Sequence, residues 1–192
     1  MTVPLSLKNS ISIVAVVAVF IGAISVGQWL STSPEAVATV ERFGYLGLVG
    51  IGIVTGLNFI IPVPAATFSA LYSAAGLMTA GIVVALAIGT LIADMIGFWV
   101  GTKLRLLLSD SYPRITAYAK KIAAGSSYYI FVFVLLYAAL VPFPNEAILI
   151  PLAISGIKFR YLALPLIIGN ILHQTILIVG VDVLTQFFFW RK

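Results

Sequence analysis

The sequence predicts an all-α integral membrane fold: a helical bundle with two inverted repeats, each a proline-broken re-entrant hairpin plus a transmembrane helix. Three observations carry that reading. The 192 residues are 61% apolar and only 9% charged, with mean hydropathy +1.15, whereas a soluble domain carries about 25% charged residues. Charge-free apolar stretches reach the ~20 residues that a hydrocarbon core requires, Ile11 to Leu30 among them. Two other apolar stretches are interrupted by paired prolines, Pro62 with Pro64 and Pro142 with Pro144. Proline has no N–H and clashes with the preceding turn, so each pair frees backbone carbonyls. In a bilayer such backbone persists only when buried in protein or lining a wet cavity.

Residues 1–44 read as an N-terminal transmembrane helix followed by an interfacial amphipathic helix. The apolar run from Ile11 exceeds the ~7–15 residues of a signal-peptide core, which favours a retained helix, although Ala36-Val37-Ala38 resembles a cleavage site. Ser33 is placed to cap the next helix with Pro34 at its first position; that helix covers residues 34–43. Residues 45–192 form the main membrane domain. Its first repeat, residues 45–102, runs apolar to the break at Pro62 and Pro64, resumes through Leu77, and then spans from Thr79 to Gly101. The arm after the break is too short to cross alone, so a re-entrant hairpin fits it better. A basic loop, residues 103–127, contains Lys103, Arg105, Arg114, Lys120 and Lys121. The second repeat, residues 128–190, is broken at Pro142 and Pro144 and closes with a span from Tyr161.

The repeat is visible at a constant spacing of 80: Pro62 with Pro142, Pro64 with Pro144, Gly76 with Gly156, and Gly89 with Gly169. An odd number of crossings per half inverts the second half relative to the first, which in transporters brings two broken helices together near the midplane. Charge fits that topology. Placing the N-terminus and the basic loop in the cytoplasm satisfies the positive-inside rule for a multi-pass protein of the inner membrane. The C-terminal Arg191 and Lys192 then fall outside, against the rule.

Asp94 lies well inside the span from Thr79, where an aspartate costs about 2.5–3.5 kcal/mol on insertion scales. It reads as a protonatable or ion-pairing carboxylate facing the bundle interior. The alternative, a pair with Lys103 or Arg105 on the same helix, fails on distance, because nine residues rise about 13 Å. Glu146 follows the second break. It either exchanges a proton in the interior or caps the helix that resumes after Pro144, and the two readings imply opposite titrations. Beside it, Asn145 is a candidate binding residue, as are Asn170, His173 and Gln174 on the last span. Polar residues on such spans also serve simply to hold helices together. The basic stretch with Lys103 and Arg105 reads as an interfacial segment meeting anionic headgroups.

Much is excluded. With no cysteine, there are no disulfides and no thiolate chemistry. A single histidine, His173, offers no histidine-built metal site. No nucleophile lies beside a base and no Gly-rich phosphate loop follows a strand, so no enzyme, cofactor or metal is expected. The net charge of +5 rests on few charged residues, which points to loop topology and membrane lipids as partners rather than nucleic acid; a homo-oligomer is compatible with the pattern.

Gly89-Thr90-Leu91-Ile92-Ala93-Asp94, followed by Phe98, Gly101 and Lys103, resembles the glycine, aspartate, aromatic, glycine and basic-residue pattern of the DedA family, also called the VTT or SNARE-associated Golgi protein family. The resemblance covers residues 40–180. It implies two facing re-entrant hairpins and translocation or scrambling of lipid or lipid phosphate, in bacteria phospholipid or undecaprenyl phosphate, with proton coupling as an option. Where that family carries a glutamate after the first proline motif, this chain has Ala65 and Ala66. Where it carries an arginine after the second, this chain has Asn145 and Glu146. Of the family's pattern Asp94 carries over directly, and Glu146 is positioned to compensate across the pseudo-twofold. Transport of a small solute coupled to protons or cations, and a non-transporting scaffold or assembly factor, are the alternatives.

Overall fold

Apolar side chains along long helices, short polar connections and the absence of a strand pattern favour helix packed on helix, and the computed structural model has that architecture. It describes residues 5–57, 64–111, 127–141 and 143–189, all helical or in short connections. Pro62, Pro142, Arg114, Lys120, Lys121, Arg191 and Lys192 lie outside the described residues.

Helix α1 covers Leu5–Ser31 and α2 covers Pro34–Gly56. Between them Ser33 is extended, and its side chain accepts a 3.4 Å hydrogen bond from the Ala36 amide, with Pro34 opening the helix. Both features follow from the serine–proline order, since the first helical N–H has no internal partner. Ser33→Ala is expected to lower stability by about 0.5–1 kcal/mol, seen as a small drop in the thermal unfolding midpoint in detergent. At Gly44 the backbone leaves helical geometry, with φ +53° and ψ −144°, a conformation open to glycine and strained for other residues. The sequence division at residue 44 therefore coincides with a kink between two helical segments, one on either side of Gly44.

After Pro64 a 3-10 turn, Ala65–Phe68, runs into the short helix α3, Ser69–Ala74. Helix α4 is long, Thr79–Ser111. It continues past the expected end at Gly101, so Lys103 and Arg105 stand on its last turns rather than in a loop. Helix α5 covers Ser127–Leu140, α6 covers Glu146–Ser155, and α7 covers Arg160–Phe189. Three helical segments among the described residues are long and apolar enough to cross a membrane: Pro34–Gly56, Thr79–Leu106 and Arg160–Leu184. Their outward faces carry exposed Val84, Ile88, Met95 and Ile96 on α4 and Ile168, Ile176 and Val179 on α7, as lipid-facing surfaces do.

Glycine determines which helices meet. A Cβ at Gly52 would sit 2.8 Å from the Leu86 carbonyl oxygen, and one at Gly56 2.7 Å from the Ala93 methyl, so α2 lies directly on α4. Farther along α4, Gly97 and Gly101 admit α6: a Cβ at Gly101 would meet Ala153 at 2.8 Å and Ile150 at 2.9 Å. Gly169 of α7 receives Ala138 of α5 at 2.6 Å. Small residues four apart allow this close approach where lipid supplies no hydrophobic drive between helices. Two apolar cores result. One joins Leu48, Tyr72, Ile82, Leu86 and Ile178; the other joins Val134, Leu149, Leu162 and Leu166.

Positions 80 apart adopt matching local geometry. After α3 the amide of Gly76 bonds the Ser73 carbonyl and that of Leu77 the Tyr72 carbonyl; after α6, Gly156 bonds Ala153 and Ile157 bonds Leu152. Both are paired 5→2 and 6→1 closures of a Schellman turn, with φ +71° at Gly76 and +87° at Gly156. At the other end of each short segment, the Pro64 carbonyl accepts from Thr67 and the Pro144 carbonyl from Ala147, both at 3.0 Å.

Candidate functional site

Asp94 lies near the middle of the Thr79–Leu106 segment and exposes none of its surface. Such burial is tolerable only with compensating partners, and two asparagines supply them. Asn170, on α7, donates to Asp94 Oδ2 at 2.8 Å; Asn145, immediately after Pro144, donates to the same oxygen at 3.3 Å. Asn145 also donates to Asn170 Oδ1 at 3.1 Å, closing a triangle that ties α4, α7 and the second break together. Asn145 can do this because its side chain makes no cap bond to α6.

Glu146, the first residue of α6, is 3% exposed. Its aliphatic stem lies against Gly97, where a Cβ would come within 2.7 Å of Glu146 Cγ. Gly97 is three residues after Asp94, hence on the same side of α4. Neither Glu146 oxygen accepts a hydrogen bond from another of the described residues, and Asp94 Oδ1 is likewise buried and without a partner. Glu146 does stand in the first turn of α6, at the positive end that the capping reading invokes.

One turn back along α4, Thr90 donates its hydroxyl to the Leu86 carbonyl at 3.0 Å, and Gln174 Nε2 donates to Thr90 Oγ1 at 3.4 Å. Because Thr90 has a single proton and directs it to Leu86, Gln174 must present its amide nitrogen. Gln174 Oε1 is left buried and unpartnered. The two interhelical contacts are images of each other at a spacing of 80: Asp94 corresponds to Gln174, and Thr90 to Asn170. The surroundings differ. Opposite Asn145 and Glu146 stand Ala65 and Ala66, both buried. Where α4 has Gly97 to admit Glu146, α7 has Leu177, packed against the core that holds Ala66. The large and small side chains are exchanged between the two halves, and the acidic pair occupies one side only.

Asp94, Asn145, Glu146, Asn170 and Gln174 are therefore brought to one buried row along α4. His173 is not part of it; half-buried, its Nδ1 faces the Ala139 carbonyl of α5 at 3.2 Å. Lys103 and Arg105 are at the end of α4, well away from Asp94. The Lys103 ammonium lies 5.5 Å from the centre of the Trp99 ring, and the Arg105 guanidinium lies against Gly156 at the C-terminal end of α6, where helix carbonyls favour a cation. Pro64 and Pro144 begin the segments after the two breaks. Sequence reasoning missed Thr90 and Gly97. Thr90 was within reach, since four residues before Asp94 places it on the same face; nothing in sequence marks Gly97 as the space that Glu146 fills. Among the described residues no group of three or more His, Cys, Asp or Glu side chains converges as a metal set.

No protein-family model, no curated protein and no solved structure matches this chain.

Proposed function

We propose that this protein is a membrane transporter of the DedA type, built as two inverted repeats with re-entrant hairpins. It moves lipid or lipid phosphate across the inner membrane, with Asp94 and Glu146 as the proton- or ion-coupling carboxylates. The observation that carries this reading is the buried polar row itself. One carboxylate at the middle of the long apolar segment and a second from the first turn of α6 are gathered with amides from α7 and the segment after the second break. Intramembrane carboxylates of this kind mark ion or substrate pathways, and discontinuous helices meeting near the midplane are where secondary transporters bind. The images at a spacing of 80 support the two-repeat plan. A scaffold has no use for buried carboxylate oxygens left without donors, which weighs against that alternative.

The lipid substrate rests on the sequence resemblance and on Lys103 and Arg105, which offer cations to anionic headgroups at the end of α4. Complete burial of Asp94 favours a small ion at the centre itself, so a cation-coupled solute transporter using the same carboxylates is the second reading. Reconstituted protein tests the two: fluorescent phospholipid and polyprenyl phosphate are followed across proteoliposomes with and without a pH gradient. Lipid movement above that of empty vesicles is expected. Its absence under both conditions would remove the lipid reading.

A further inference from the structure

We infer that the end of the bundle bearing Lys103, Arg105, Lys158 and Arg160 is a docking surface for the anionic phospholipid of one membrane leaflet. The inference rests on the headgroup reading of Lys103 and Arg105 and deepens it: the surface is composite, and its lipid stays bound there rather than being carried across. Helix directions establish which charges share an end. Gly52 of α2 meets Leu86 and Gly89 of α4, and Gly56 meets Thr90 and Ala93, so α2 and α4 run the same way. Helix α6 does too, with Gly97 at Glu146, Gly101 at Ile150 and Arg105 at Gly156. Helix α7 runs the opposite way, with Asn170 at Asp94 and Gln174 at Thr90.

The end of α4, the end of α6 and the start of α7 therefore meet at one end of the bundle. An edge-to-face contact of Phe98 with Phe159, 5.3 Å between ring centres, fixes the α6–α7 turn on α4. Lys103 and Arg105 come from α4, Lys158 and Arg160 from the turn into α7; three of them are exposed and Arg105 is partly so. Against these four, the described segments at that end carry one acidic residue, Asp110, in the last turn of α4. The opposite end has the reverse balance: Glu35 and Glu41 lie early in α2 and Asp182 late in α7, against Arg42. Positive charge is segregated to one end, where it complements an anionic leaflet.

The cations stand beside aromatic rings. The Lys103 ammonium lies 5.5 Å from the Trp99 ring centre and the Arg160 guanidinium 4.8 Å from that of Tyr161, to whose hydroxyl oxygen Arg160 Nη2 donates at 2.8 Å. Tyr128 and Tyr129, opening α5, are exposed at the same end, because α5 runs with α7: Leu135 and Ala138 meet Gly169, and Ala139 meets His173. Trp and Tyr gather at headgroup depth, where basic side chains keep their stems in apolar surroundings and their charge among phosphates. Each Lys or Arg near an anionic surface adds to the attraction, and a guanidinium can take two phosphate oxygens. Next to the cations lie exposed Trp99 and Val100 on α4 and Leu164 on α7, an apolar surface for acyl chains that free phosphate would leave unused.

The test is a thermal-unfolding titration of the purified full chain in neutral detergent, adding phosphatidylglycerol, phosphatidylcholine or inorganic phosphate at matched ionic strength. A saturable rise of the midpoint with phosphatidylglycerol, well above that with phosphatidylcholine, is expected for the wild type, and raising the salt concentration should weaken it. In the double variant Lys158→Gln, Arg160→Gln the apparent affinity for phosphatidylglycerol should fall about fivefold for each charge removed, whereas Glu35→Gln with Glu41→Gln, at the opposite end, should not lower it. Should the double variant fail to purify, the salt dependence of the wild type gives the decision. Equal responses to the two lipids, an equal response to inorganic phosphate, or an affinity unchanged by salt or by the double substitution would overturn the inference. Selective stabilisation by phosphatidylglycerol without lipid movement in proteoliposomes would leave this surface standing and remove the lipid-transport reading; lipid movement without that selectivity would do the reverse.

Discussion

Gly89→Val is expected to be the most damaging single substitution in the bundle, with a loss of about 3 kcal/mol or more. A Cβ at Gly89 would collide with the Val49 carbonyl oxygen and sit 2.7 Å from the Gly52 Cα. Both obstacles are backbone, so no side chain can turn aside. Either α2 moves off α4 or the protein fails to fold. The loss should appear as reduced yield of monodisperse protein and a sharply lowered unfolding midpoint. Gly50→Ala, on the exposed side of α2 with nothing within 4 Å of an added Cβ, should be neutral or stabilising by up to about 1 kcal/mol. The contrast separates close packing from glycine's general weakness in helices.

Asn170→Leu is expected to cost about 2–3 kcal/mol, the range for a hydrogen bond to a charged group together with a polar atom left unpaired. Leucine keeps the number and branching of asparagine's side-chain heavy atoms, but its methyl groups are bulkier, so some of the loss comes from packing. The substitution removes the 2.8 Å bond to Asp94 and the acceptor used by Asn145, leaving Asp94 Oδ2 with Asn145 alone. Asn170→Asp, which swaps the donor for a second acceptor beside Asp94, should be worse at neutral pH. Unfolding midpoints of the two variants in detergent at pH 7 give the comparison. If Asn170→Leu melts like wild type, the triangle is not holding α7 to α4.

Local features were readable from sequence wherever they depend on short-range chemistry. The serine–proline start of α2 follows from capping, and the spacing of 80 pairs Gly76 with Gly156, the two glycines that take positive φ at matching helix ends. Asp94 stood out because a carboxylate in an apolar helix has few explanations. Tertiary partners were less legible. The spacing of four puts Asn170 and Gln174 on one face with His173 beside them, but it does not say what each meets: Asn170 and Gln174 face α4, and the step of about 100° between adjacent residues sends His173 to Ala139. The end of α4 was misplaced because polar residues suggested a loop, whereas Leu104, Arg105 and Leu106 are good helix formers and the helix runs to Ser111. The fit of Glu146 into the space at Gly97 depends on how α6 docks, which no spacing within either segment encodes.

The most direct test of the central claim is lipid flux in proteoliposomes for wild type, Asp94→Asn and Glu146→Gln, each first shown to be folded by its unfolding midpoint. Both substitutions keep side-chain size and remove the capacity to exchange a proton or bind an ion as a carboxylate. The expected result is lipid movement by the wild type and its loss in both variants while the fold persists. Lipid movement that continues unchanged in Asp94→Asn and Glu146→Gln would contradict the account, leaving the buried carboxylates without a part in transport.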